Sequence, residues 1–285
     1  MENPKIKILS FHKIFHENAI ILSKRTGFPL ILGDYKPEEN DIIIVFGSHE
    51  NIAGVLDILN AFKSIKCILI QSEQIQSQFL QNKYYLTLLR LARVFVFDWS
   101  YQNAMDLQRR YQVTVRSIYT WDYFSRCGDE PWEDRPIDIC FIGSPNPKRQ
   151  FIINTMKQQY PNLKFLIDFN WSFNDQNKLA NTLKRCKFVL NIPYHQDSAL
   201  ETHRINRAIS CGCRVITQRS RDDDLNEIYK PYVYFTNTYH NIIDKYLEKK
   251  LEPTKNYEDF VKNVLSKTLH NNGEVIKKVI EATIE

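Results

Sequence analysis

A chain of 285 residues with 43% hydrophobic content is long enough for one large domain or two ordinary ones. Its 38 basic and 33 acidic residues leave a net charge of +5, spread without a basic tail or arginine-rich run. No aromatic RNA-binding motif is present either, so nothing marks a nucleic-acid partner, and an anionic small substrate suits the charge equally well. No stretch approaches the roughly 18 apolar residues that span a bilayer, and the opening MENPKIKILSFHK lacks the order of a secretion signal; the expectation is a cytoplasmic protein without a transmembrane segment. The cysteines at 67, 127, 140, 186, 211 and 213 lie mostly inside apolar runs, as small core residues do, with neither zinc spacing nor a disulfide ladder.

Along the chain, β-rich apolar runs alternate with amphipathic segments. KIKILSF is followed by residues 13–26, then FPLIL; DIIIVFG by 50–63; CILIQ by 75–91; VFVFD by 101–112; TVRSIY closes the series. Strand and helix alternation of this kind predicts a parallel sheet with helices on both faces. Between Trp121 and Pro136 the pattern gives way to turn formers and charges, which reads as an interdomain linker. The alternation restarts with IDICFIG, a helix over 147–159, KFLID, a helix over 174–185, FVLNI, a helix over 200–211, RVIT, a short helix near 223–229, YVYF, and helical segments from about 238 to 284. The fold class is α/β, with two Rossmann-like domains facing across a cleft. The expected boundaries are 1–125 for the first domain, 126–136 for the linker and 137–270 for the second, with a C-terminal helix at 271–285 packing back on the first.

The stretch ALETHRINRAISCGCRVITQ joins a charged helical segment to small residues and a β-branched strand, with Gly212 placed as the left-handed residue that ends the helix. DICFIGSPNPKRQFII sets Gly143 and Ser144 at a strand end and Lys148 and Arg149 at a helix start. With RCKFVLNIPYHQDSALETHRINRAISCGCRVITQ and YKPYVYF, these segments make the second half resemble the C-terminal, nucleotide-sugar-binding domain of group-1-like glycosyltransferases of the GT-B fold. CILIQSEQIQSQFLQNKYYLTLLRLARVFVFDWSYQN resembles the acceptor-domain segment of many of these enzymes, which ends a strand in Ser-Glu; here the glutamate is Glu73.

The resemblance implies metal-independent transfer of a sugar from a UDP- or GDP-linked donor to a glycan or other hydroxyl acceptor, with no further cofactor. Donor contacts would come from Gly143, Ser144, Lys148, Arg149, Glu201, Thr202 and Arg204, and from the N-termini of the helices starting near Lys148 and Glu201. Glu73 would act as general base toward the acceptor if configuration inverts, with His49, in FGSHEN, as a second possible base. His12 and His16 are weaker candidates. In one respect the chain departs from the family pattern: five residues before Gly212 the usual ribose-binding glutamate is replaced by Arg207, which has donors and no acceptor. That departure keeps open a non-catalytic GT-B module, and a sugar-nucleotide epimerase shares the fold. Asp222, Asp223 and Asp224 follow QRSR rather than a hydrophobic strand and read as the first turn of a short helix, not as a metal site. No phosphate-binding Walker loop, dinucleotide glycine fingerprint or Gly-x-Ser-x-Gly elbow occurs.

Overall fold

The computed structural model describes residues 5–118, 131–170, 175–247 and 257–284. The chain divides into two compact units, Met1–Trp121 with Lys267–Glu285, and Asp122–Ser266. In unit 1 the order is β1 (Ile6–Ser10), α1 (His16–Thr26), β2 (Leu30–Ile31), β3 (Ile42–Phe46), α2 (Ile52–Ala61), β4 (Lys66–Gln71), α3 (Lys83–Leu89), β5 (Val94–Asp98), α4 (Tyr101–Tyr111) and β6 (Val115–Ser117). Unit 2 follows with β7 (Ile137–Ile142), α5 (Pro147–Gln159), β8 (Phe165–Asp168), α6 (Gln176–Leu183), β9 (Cys186–Asn191), α7 (Thr202–Ser210), β10 (Arg214–Thr217), α8 (Asp223–Tyr229), β11 (Val233–Phe235) and α9 (Tyr239–Leu247). The chain ends with α10 (Tyr257–Phe260) and α11 (Ser266–Ile284).

Among the described residues unit 1 holds a six-stranded sheet ordered β2-β1-β3-β4-β5-β6, and unit 2 a five-stranded sheet ordered β11-β10-β9-β7-β8. Every strand pair in both is parallel. Parallel strands are covered by helices on both faces, which is why IIIVF of β3 is apolar and buried at all its positions. One face of the unit 1 sheet carries Leu9, Val45, Val55, Leu59 and Leu69. The other carries Ile8, Ala19, Leu22 and Ile44, and here α11 contributes Ile276, Val279 and Ile280 to the same cluster.

Helix starts follow the capping chemistry written in the sequence. Asn51, Ser100, Asn146, Asp175 and Asp222 each accept a hydrogen bond from a backbone N–H in the first turn of α2, α4, α5, α6 and α8. Asp222 thus caps α8 through Leu225 N at 3.1 Å, with Asp223 and Asp224 in the first turn. At the end of α7, Gly212 has φ 73°, and a Cβ there would also stand 2.6 Å from Arg135 Nη2, so glycine is demanded twice over.

Two expected helices are shorter than their patterns. The single helix expected over 75–91 is a loop, a 3-10 turn (Gln78–Gln81) and α3. Ser77 and Asn82 each cap a new turn with their side chains and so interrupt the run. The helix expected from residue 200 starts at Thr202. Of the expected linker, residues 126–130 lie outside the described residues. Trp132 and Arg135 pack into unit 2: Trp132 Nε1 donates to Lys187 O at 2.8 Å, and Arg135 Nη1 to Cys186 O at 2.9 Å.

Because Ile276 is fully buried in the unit 1 cluster, Ile276→Ala leaves a cavity under the sheet. The expected loss is about 2–5 kcal/mol, read as a lower urea midpoint for the transition that reports on unit 1. An unchanged midpoint would mean that α11 contributes nothing to that core.

Candidate functional site

In unit 2 the residues singled out by sequence gather at the carboxyl ends of β7 and β9 around Arg149, on α5. This guanidinium is 2% exposed and its donors are spent on the protein: Nε to Ile192 O (2.9 Å), Nη1 to Ser144 O (2.9 Å) and Nη2 to Glu201 Oε1 (3.2 Å). It also lies over the rings of Phe141 and Tyr194, 5.3 and 5.1 Å from their centroids. Burial, and then the charge of Arg204, lower its pKa to about 10, so it remains protonated at neutral pH. Arg149 was expected to be a cation for phosphate; it is instead the strut that ties the β7 and β9 loops to α7.

Glu201 does not cap α7 with its side chain. Its carboxylate accepts from Arg149, from Arg204 Nη1 and from the Tyr194 amide at 3.3 Å. Arg204 Nη1 also donates to Asn191 Oδ1 at 2.8 Å, and Asn191 is held in turn by Thr217 Oγ1 at 3.0 Å. Two arginines against one glutamate leave the cluster with a net positive charge. Among the described residues Arg204 Nε and Nη2 have no hydrogen-bond partner, and its side chain is 20% exposed. Gly143 is where the backbone lies bare beside it: a Cβ there would stand 2.9 Å from Arg204 Nη2 and 3.4 Å from Arg149 Nη1.

The helix N-termini hold less unused capacity than expected. At α5, Pro147 has no N–H, and the Arg149 amide is taken by Asn146 Oδ1 at 2.8 Å. At α7 the Thr202 amide donates to Leu200 O (2.8 Å) and that of Arg204 to Glu201 O (3.1 Å). Thr202 itself is 1% exposed, and Lys148 is an exposed residue that donates to Gln218 Oε1 at 2.9 Å. Positive charge is therefore presented by side chains, Arg204 and the exposed Lys148, rather than by helix amides. Sequence reasoning passed over Asn191, Asn146 and Tyr194; the signal for the first is a polar residue ending the apolar strand FVLNI.

In unit 1 the two expected bases do meet. His49 Nε2 lies 3.1 Å from Glu73 Oε1, and Ser77 Oγ donates to Glu73 Oε2 at 2.6 Å. The Glu73 loop leaves β4 and is held by buried polar residues that sequence reasoning missed. Gln71 Nε2 donates to Glu73 O (2.7 Å) and Asp98 Oδ2 (3.0 Å), and Asn103 Nδ2 to Glu73 O (3.0 Å) and Asp98 Oδ2 (2.6 Å). Asp98 and Asn103 are fully buried. Again the signal was a polar residue closing an apolar strand, Gln71 in CILIQ and Asp98 in VFVFD.

The pair is unequal. Glu73 has a side chain 21% exposed, whereas that of His49 is 4% exposed among the rings of Phe15, Phe79 and Tyr85. His49, expected as an alternative base, has its ring enclosed by these aromatic side chains, beside the more exposed Glu73 carboxylate. Burial pushes its pKa down to about 4, outweighing the raising effect of Glu50. The imidazole is therefore neutral at pH 7, and its Nδ1 is buried and without a hydrogen-bond partner among the described residues.

A histidine held below its unfolded pKa binds its proton in the unfolded chain first. Stability is undiminished above about pH 6.5 and falls as pH drops from there toward about 4. His49→Gln keeps a polar side chain beside Glu73 and removes the titration. The fall in folding free energy over that window should be smaller in the variant by about 1–3 kcal/mol, measured by urea unfolding across pH. Parallel pH curves for the two proteins would show that His49 is not the group responsible.

No protein-family sequence model matches the chain, and no curated protein matches it. Solved structures do. HepE (Alr3699) of Anabaena in complex with UDP matches over 98% of this chain and 100% of its own, at 11% identity and a TM-score of 0.53. The same protein in complex with UDP and glucose matches over 96% and 100%, at 11% identity and a TM-score of 0.59. A glycosyltransferase from Rickettsia africae covers 98% of this chain and 99% of its own at 10% identity, with a TM-score of 0.49. At such identities the likeness to HepE establishes the fold, and the fold is GT-B: an α/β chain of two Rossmann-like units, each built on a parallel sheet.

Proposed function

We propose that the protein is a glycosyltransferase that takes a sugar from a nucleoside diphosphate donor, UDP-linked in the first instance, and passes it to a hydroxyl acceptor without a metal ion. The observation that carries this reading is Arg204: a guanidinium fixed through Nη1 by Glu201 and Asn191, with Nε and Nη2 unengaged among the described residues, beside the bare backbone of Gly143. A diphosphate leaving group needs its growing charge met by a preorganised donor, and a guanidinium already held in place supplies one without reorganisation. The GT-B fold shared with a protein solved with UDP and with glucose supports the same ligand class. The use of Asp222 as a helix cap supports metal independence, since the first residue of the triplet already has a structural role.

In this reading Glu73 is the base. Its carboxylate is partly exposed, is steadied by His49 and Ser77, and sits on a loop fixed by Gln71, Asp98 and Asn103. Such a group accepts the proton of an acceptor hydroxyl as the oxygen attacks the anomeric carbon and the nucleoside diphosphate departs, with inversion of configuration. One observation favours a second reading, a module that binds a nucleotide sugar without turnover: Arg207 is 5% exposed on α7, where the resembled family carries its ribose-binding glutamate.

Two substitutions test the assignment. Arg204→Ala removes charge-assisted hydrogen bonds to the diphosphate and should weaken UDP binding about tenfold to hundredfold in calorimetry, with binding in the wild type insensitive to EDTA. An unchanged UDP affinity would leave Arg204 as a structural partner of Glu201 only. Glu73→Gln should retain UDP affinity and reduce turnover by about 10²–10⁴-fold. Near-normal kcat in this variant, or a product that keeps the anomeric configuration of the donor, removes Glu73 as the base; UDP binding with no transfer or hydrolysis in the wild type decides for the binding module.

A further inference from the structure

The amino edge of the unit 1 sheet, opposite the Glu73 loop, carries a field of cations that the reaction above does not use. α2, α3 and α4 lie on one face of the sheet, where Val55, Leu88 and Leu107 share a cluster with Leu69 and Val96. Since the strands are parallel, each of these helices returns the chain to the amino edge and ends there. Lys63 follows α2 and Lys66 opens β4, Arg90 and Arg93 follow α3, and Arg109 and Arg110 close α4. β4 spans six residues, so its rise sets Lys66 roughly 17 Å from Gln71, where the Glu73 loop begins.

The three helix ends are joined to one another. Arg93 Nη1 donates to Lys63 O (3.2 Å) and its Nη2 to Asn60 Oδ1 (3.4 Å), which ties the segment after α3 to the end of α2. Arg90 Nε donates to Tyr111 O (2.7 Å) and ties the same segment to the end of α4. Among the described residues none of the six cations forms an ion pair with a carboxylate, and Lys63, Arg90, Arg109 and Arg110 are exposed. An acidic segment lies alongside, in the loop before β3, where the Asn40 amide donates to Ser64 Oγ (3.1 Å). There Glu38 and Asp41 are engaged by Lys5 and Lys7, which leaves Glu39 over. Helix dipoles favour cations at Arg90, Arg109 and Arg110, but Lys63, Lys66 and Arg93 lie beyond the helix ends. Like charges held together in such excess repel, so an anionic partner accounts for the array where folding does not.

We propose that this face docks unit 1 on an anionic lipid bilayer, drawn by the six cations and seated by the ring of Phe62. That ring is 38% exposed, and it opens a turn closed by the Ile65 amide on Phe62 O (3.3 Å), with Lys63 inside the turn and Lys66 just after it. An aromatic ring set among cations is the complement of a membrane interface, where anionic headgroups overlie the acyl chains. A nucleic acid is met by a helix or a groove that follows its backbone, whereas these cations stand on loop ends spread along a sheet edge. Docked in this way, unit 1 keeps the carboxyl edge of its sheet, with Glu73, on the side away from the bilayer. The proposal does not depend on the glycosyltransferase reading.

Full-length protein is sedimented with vesicles of phosphatidylcholine, pure or mixed with an equal share of phosphatidylserine, at low and at high salt. The expected result is retention of the wild type by the mixed vesicles alone, lost as salt rises. Arg109→Gln combined with Arg110→Gln should weaken binding by at least about tenfold, since each cation at an anionic surface is worth about fivefold in partitioning. Phe62→Ser should weaken it by a smaller factor that adds to the first. Lys157→Gln combined with Lys164→Gln removes the same charge from unit 2 and should leave binding unchanged. These four cations are exposed and make no side-chain bond among the described residues, and unchanged melting temperatures confirm intact folds. Equal binding to pure phosphatidylcholine overturns the proposal, as does the absence of binding to either vesicle. So does undiminished binding in the Arg109 and Arg110 variant, or an equal loss in the unit 2 variant, which reduces the attraction to net charge. Retention of duplex DNA without retention of vesicles overturns it in favour of a nucleic acid, and a silent Phe62→Ser overturns the seating of the ring.

Discussion

A guanidinium that is 2% exposed has to be given partners for its N–H groups, because an unpaired charge does not remain in a protein interior. In unit 2 this constraint organises everything around Arg149. Its bonds to Ile192 O, Ser144 O and Glu201 tie three separate segments to one side chain. Glu201, drawn in to balance Arg149, becomes the anchor that holds Arg204. The exposed arginine is thus set by the buried one: Arg149 gives up ligand contact, and Arg204 gains a fixed direction. Gly143 completes the arrangement by leaving out the Cβ that would crowd the end of the Arg204 side chain.

Unit 1 solves the same problem with a carboxylate. Asp98, fully buried, accepts from Gln71, Asn103 and the Ser100 amide, and the side chains that satisfy it also hold the Glu73 carbonyl. Each unit therefore places a partly exposed charged group by means of a fully buried one of the same sign. The physical advantage is common to both: a side chain whose support is a satisfied buried network does not have to be ordered when a ligand arrives. His49 adds a neutral neighbour, a ring kept uncharged by burial whose Nε2 lies 3.1 Å from the Glu73 carboxylate without cancelling its charge.

Much of the fold was legible because its signal is local. Strand runs such as DIIIVFG and VFVFD are continuous and apolar, and β3 and β5 fall within them. The helix over 147–159 and the short one over 223–229 matched α5 and α8, since Asn146 and Asp222 announce their caps. Where the pattern misled, a side chain competed with the helix: Ser77 and Asn82 restart the chain twice within the segment 75–91. The meeting of His49 with Glu73 was half legible, because both end strands that a parallel sheet brings side by side, β3 and β4.

The sequence by itself determined which residues are chemically capable and which edge of each sheet they occupy, because strand periodicity and capping residues are read within a few positions. It did not determine their roles. Lys148, Arg149 and Arg204 are equal as cations on paper, and only the packed structure made the first a surface residue bonded to Gln218, the second a buried strut and the third the open donor. Glu73 and His49 were likewise a first and a second candidate base, and packing against Phe15, Phe79 and Tyr85 withdrew the histidine from solvent. The reason is that burial and partner choice depend on contacts between residues far apart in the chain, such as Arg149 with Glu201 and Gln71 with Asp98, and a role follows from what remains exposed after those contacts are made.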